Sequence, residues 1–136
     1  MSNASQKRAA RKARDAWTSC LDTQAQQAEW TQILSTIDPK DFMLPKERKR
    51  LAELPDEFMV YRGYQGNRRA GLSWTLSLEV ANMFAKLNEN IPKGTVVACR
   101  VTKADVYAII LNDELEIIIL PKTLNSKRIS TYRAVR

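Results

Sequence analysis

The spacing of apolar residues changes near residue 57, and that change restricts the chain to folds in which helices precede a sheet. Before it, Ala9, Ala10, Ala13, Ala16, Trp17, Cys20 and Leu21 recur at three-to-four spacing, the stripe of an amphipathic helix. A second helix is expected over Gln24 to Ile37, with Ala25, Ala28, Ile33, Leu34 and Ile37 inward and Pro39 as its stop. A third starts at Pro45 and ends before Pro55. From Phe58 onward the signal is β with one helix inserted. Phe58 to Arg62 reads as a strand running into Gly63, and Gly63, Gly66 and Gly71 break the following stretch into a loop. Ser77 suits the cap of a helix through about Leu87, with Leu78, Ala81, Phe84 and Ala85 on one side. Strands are expected near Thr95–Val101, Val106–Leu111, Glu116–Leu120 and Ile129–Val135. The expected class is α+β in a single domain of 136 residues, with a helical part over 1–56 and a mostly antiparallel sheet over 57–136.

Composition narrows the chemistry. The chain has no histidine, which excludes Ser-His-Asp and Cys-His catalysis and every histidine-containing zinc site. Cys20 and Cys99 are too few for a four-thiolate site and too sparse for a disulfide framework, so both are expected as reduced thiols in a cytoplasmic protein. No segment approaches the roughly 20 apolar residues of a membrane span, and the basic N-terminus has no apolar stretch behind it, so no membrane or secretory signal is expected. Enzymatic chemistry would rest on carboxylates, hydroxyls, arginine and lysine, or on a substrate that carries its own reactive bond.

The net charge of +7 is unevenly spread. Lys7, Arg8, Arg11, Lys12 and Arg14 precede the first acid, and Lys46, Arg48, Lys49 and Arg50 surround one Glu47; Lys127, Arg128, Arg133 and Arg136 add to the tail. Such a field attracts polyanions, whereas a basic helix face is also the ordinary way to solvate a helix.

Four stretches carry candidate chemistry. Glu114-Leu115-Glu116 opens an apolar strand, and two carboxylates at i and i+2 of an extended segment project to one side. With Asp113 they make three acids in four positions, which suits either a mutually perturbed acidic pair or an exposed hairpin turn. Arg62 ends a strand just before Gly63, where its guanidinium can serve as a surface ion-pair partner or as a fork on phosphate or ribose. Ser73 and Thr75 are again i and i+2, with hydroxyls on one side, fit to cap an edge or to line a site. Ala81-Asn82-Met83-Phe84-Ala85 forms the fourth.

The order Tyr61-Arg62-Gly63, then Ser73-Trp74-Thr75, then a helix with Phe84-Ala85, then Glu114-Leu115-Glu116 resembles the mono-ADP-ribosyltransferases of the Arg–Ser–Glu type. That family includes the cholera and clostridial toxins and phage proteins that modify host targets. The resemblance covers about Phe58 to Pro121. It implies a split antiparallel β-sheet core that binds NAD as a substrate. It places Arg62, with Gly63, on the diphosphate and ribose, and Ser73 and Thr75 as site-holding hydroxyls with Trp74 in the middle slot. It further implies Phe84 against nicotinamide, Glu116 as the catalytic carboxylate and Glu114 as the acid that accompanies transfer. The implied activity is transfer of ADP-ribose to a macromolecule, protein or nucleic acid, inside a bacterial or host-cell cytoplasm, with no metal. Two other uses of the same fold stay open: an NAD glycohydrolase, and a non-catalytic module whose basic helices contact nucleic acid or an acidic protein.

Overall fold

The computed structural model describes residues 3–20, 23–65, 70–86 and 94–132. Leu21, Gly66, Leu87, Arg133, Val135 and Arg136 lie outside them. Helices precede the sheet. Asn3–Ser19 forms α1, and a 3-10 turn at Gln24–Gln26 leads into α2 at Gln27–Ser35. Pro39–Phe42 forms α3 and Pro45–Glu53 forms α4. The strands are β1 (Glu57–Tyr64), β2 (Ser73–Thr75), β3 (Thr95–Thr102), β4 (Ala108–Ile110), β5 (Glu116–Ile118) and β6 (Ile129–Thr131). Between β2 and β3 lies α5 (Leu78–Ala85), and α6 (Pro121–Leu124) follows β5. The class is α+β.

The six strands are ordered β4-β5-β2-β1-β3-β6 in one antiparallel sheet. Pairing is uneven across it. β1 and β3 pair along their whole length, from Glu57↔Thr102 to Tyr64↔Thr95, whereas β1 and β2 meet only at Tyr61↔Thr75. Two halves, β4-β5-β2 and β1-β3-β6, are therefore joined at one residue pair. Val60, Trp74, Val97, Ile109 and Ile117 are buried from the sheet side against Trp17, Trp30, Leu34 and Phe42 from the helices. A second, smaller cluster of Ala81, Ala85 and Val96 sits where α5 packs on the sheet. Gly63 permits that packing: a β-carbon at residue 63 would lie 1.7 Å from the Ala81 carbonyl oxygen.

Local chemistry explains the helix boundaries and several departures from expectation. Ser77 caps α5 as its position suggested, its hydroxyl accepting from the Val80 N–H at 3.2 Å. Pro39 starts a helix as well as ending the region of α2, because Asp38 caps it through the Lys40 N–H and proline suits the first turn. In α2 the inward residues are Trp30 and Leu34, while Ile33 is 42% exposed and Ala25 and Ala28 are exposed. The Trp30 ring sets that face by packing edge-on to Trp17, with centroids 5.1 Å apart. In α1 the buried stripe is Ala10, Ala13 and Trp17, with Ala9 and Ala16 outside. In α5 only Ala81 and Ala85 are buried; Phe84, expected inward, flanks them at 37% exposure. No helix among the described residues is long and apolar enough to cross a membrane.

Candidate active site

Glu116 opens β5 directly opposite Thr75 on β2, so strand geometry puts its carboxylate on the same face as Thr75 and Ser73. The Ser73 hydroxyl donates to Glu116 Oε2 at 2.5 Å. From the other direction Trp17, on α1, donates its indole Nε1–H to Glu116 Oε1 at 3.1 Å. Glu116 is only 7% exposed, and each carboxylate oxygen is held by one donor. Since a carboxylate oxygen has two acceptor directions, one remains on each for a further hydroxyl.

Arg62 joins this group through the backbone. Its Nη1 donates to the Ser73 carbonyl at 2.8 Å. That carbonyl lies just beyond the single β1–β2 pair, where a ladder partner would otherwise sit, and the guanidinium takes the partner's place. Strand alternation puts Arg62 on the Val60 and Trp74 side of the sheet, opposite to Ser73 and Glu116. One continuous chain results: Arg62 to the Ser73 backbone, the Ser73 hydroxyl to Glu116, and Trp17 to Glu116.

The second glutamate is placed differently from the first. β5 begins at Glu116, so Glu114 belongs to the turn before it, where its N–H donates to Asn112 Oδ1 at 3.0 Å. Between them Leu115 has φ of 47°, the left-handed region that a leucine rarely adopts. The expected extended i, i+2 arrangement is thus overturned by a backbone reversal at Leu115. Thr75 holds that reversal: its hydroxyl donates to the Glu114 carbonyl at 2.6 Å and accepts from the Ser77 N–H at 3.0 Å. Residue 114 is exposed overall, yet partial burial of its carboxyl, then the charges of Glu116 and Asp113, push its pKa up.

The remaining residues of the expected site are not all brought to this chain of hydrogen bonds. Gly63 faces α5, where it provides close packing. Phe84 lies on the flank of α5. Trp74, in the middle slot, is 2% exposed, with its indole donating to the Gly71 carbonyl at 2.9 Å. Alternation sends it to the core side, so no hydroxyl is needed there.

Trp17 is the residue that sequence reasoning missed. Its place in a helical stripe gave only a core role, and a buried indole N–H needs an acceptor whose identity, here 99 positions away, no local pattern reveals. A cleft of about 600 Å³, lined by Ala13, Trp30, Ile33, Ile37, Asp38 and Asp41 among others, contains none of the expected site residues. Among the described residues no group of three or more acidic or thiol side chains is placed to hold a metal ion. Comparison with protein-family models, with curated proteins and with solved structures returns no match.

Proposed function

We propose that this chain is an NAD-dependent mono-ADP-ribosyltransferase of the Arg–Ser–Glu kind, acting in a bacterial or host-cell cytoplasm. The observation that carries the reading is the hydrogen-bonded chain from Arg62 through Ser73 to Glu116. It joins three residues from three adjacent strands that the sequence separates widely, in the order the family resemblance requires. The thin β1–β2 joint agrees with a split sheet of the ADP-ribosyltransferase type.

The Glu116 carboxylate suits the ribose of NAD as substrate, while Arg62, on the opposite side of the sheet, acts by holding the Ser73 carbonyl. NAD brings its own leaving group, since nicotinamide departs neutral from a cationic ring. Glu116 would accept from a ribose hydroxyl and set negative charge beside the cation that develops as the glycosidic bond lengthens. Ser73 and Trp17 fix the carboxylate so that no reorientation is needed as that charge appears. Arg62 holds the Ser73 backbone and so the hydroxyl on Glu116. Glu114, whose pKa is raised by burial and by the charges of Glu116 and Asp113, would take the proton from the acceptor.

A second reading is favoured by the burial of Glu116: the same chain of bonds would be a joint between α1 and the sheet, with no catalysis. Nicotinamide release separates the two. Glu116→Gln should reduce NAD cleavage and ADP-ribose transfer alike by about 10²-fold or more. Glu114→Gln should reduce transfer far more than cleavage by water. A parent protein that releases no nicotinamide, and mutants that change only the melting temperature, would sink the enzymatic reading in favour of the joint.

A further inference from the structure

The basic clusters of α1 and α4, far apart in sequence, are pinned together by one buried ion pair. Glu47 is fully buried, and both its oxygens receive the Arg14 guanidinium. Arg14 also donates to the Phe42 carbonyl at 3.3 Å, so α1 is fixed against the segment that leads into α4. This pair neutralises the one acid that the sequence sets inside the second cluster. On α1, Lys7, Arg8 and Arg11 are exposed and lie within an arc of about 100°, adjoining the row of Arg14. Lys46, Arg48, Lys49 and Arg50 are exposed on α4. Lys7, Arg11, Lys46, Lys49 and Arg50 have no carboxylate partner among the described residues. Asp15 and Glu53 are the only other acids on these two helices.

We propose that the exposed cations of α1 and of α4, two helices tied by the Arg14–Glu47 pair, bind the phosphate backbone of nucleic acid. Cations on helices held at a fixed separation, without exposed aromatic side chains among them, suit repeated phosphates better than base edges. An acidic polypeptide offers a lower and less regular charge density, so nucleic acid is the occupant favoured here. On the enzymatic reading, which this further step uses, nucleic acid held on α1 is the acceptor. The same helix that carries Lys7 and Arg11 sends Trp17 to Glu116 one turn beyond Arg14.

The test uses the full chain with fluorescein-labelled single-stranded RNA and duplex DNA of about 20 nucleotides, read by anisotropy across a salt series. The parent should bind, with log affinity falling steeply against log salt. The double variant K7E/R11E should bind at least tenfold more weakly, with a slope shallower by about 1.5 to 2. The variant K122E/R128E makes the same change in net charge at exposed positions elsewhere and should bind within twofold of the parent. Equal loss in both variants, no binding by the parent, or equally tight binding of polyglutamate would overturn the proposal. K7Q/R11Q, which adds no repulsive charge, should show a smaller loss in the same direction. Labelled NAD then tests the acceptor step. Nucleic-acid binding without nicotinamide release overturns the enzymatic reading and leaves the surface. Nicotinamide release without nucleic-acid binding does the reverse.

Discussion

At the scale of single residues, Glu116 and Glu114 show how much environment separates two identical side chains. Glu116 is held from two sides, whereas Glu114 is destabilised as an anion by partial burial and by Glu116 and Asp113. An acid whose folded pKa is raised binds protons more readily when folded, so stability falls as pH rises from the ordinary glutamate range to the raised value. Glu114→Gln should abolish that decline and raise the melting temperature at neutral pH; thermal melts across pH 4 to 8 would show it. Trp17→Phe keeps a ring against Trp30 while removing the indole donor and part of the ring volume. It should cost about 1–3 kcal/mol of stability and, on the proposed enzymatic reading, lower NAD turnover about tenfold with KM unchanged, a split that steady-state kinetics resolves. Leu115→Gly should stabilise the fold by about 1 kcal/mol in urea titration, because the left-handed φ of 47° then carries no β-carbon penalty. A turn was one of two readings of these acids, but its left-handed residue at Leu115 was not legible in the sequence. Leucine gives no turn signal, and the conformation follows from Thr75, whose hydroxyl holds the Glu114 carbonyl from another strand.

At the scale of elements, α1 and α4 owe their union to Glu47. The sequence shows that residue only as one acid among four cations, which reads as a solvated cluster. Burial reverses its meaning. Its carboxylate accepts from Arg14, from the Leu44 N–H at 2.8 Å and from the Leu111 N–H at 2.8 Å. Burial raises its pKa, but these partners outweigh that and hold the carboxyl below the usual range. Its contribution to stability is therefore complete above the ordinary glutamate pKa and is lost as pH falls through the depressed one. Glu47→Ala leaves Arg14 buried without its partner and should cost about 3–5 kcal/mol, measurable by chemical denaturation. A loss within 0.5 kcal/mol would show that the pair does not join the helices. Helix positions and types were legible where caps and prolines mark them, as at Ser77 and Pro45. The inward face of α2 was not, because tryptophan packing outside the helix decided it.

At the scale of the whole molecule, strand order does what no local pattern could announce. β5 lies beside β2 and β2 beside β1, so Glu116, Ser73 and Arg62 come together although up to 54 positions apart (116 minus 62). The order of motifs suggested the company these residues keep, and the α+β class followed from periodicity. The thin joint at Tyr61↔Thr75 did not, since pairing depends on how far two strands diverge. Assembly also depends on Gly63. Gly63→Ala sets a β-carbon into the Ala81 carbonyl, so the variant should lose several kcal/mol or fail to fold, with near-ultraviolet circular dichroism as the check. Finally, β4 ends the sheet, and its outward amides are not left bare: Leu111 N–H donates to Glu47 and Ile109 N–H to the Met43 sulfur at 3.4 Å. The buried carboxylate is thus also a guard against strand addition from another molecule. Acid that protonates Glu47 should open this border, so the protein is expected to self-associate at low pH before its secondary structure is lost, and light scattering recorded alongside far-ultraviolet circular dichroism would show that order.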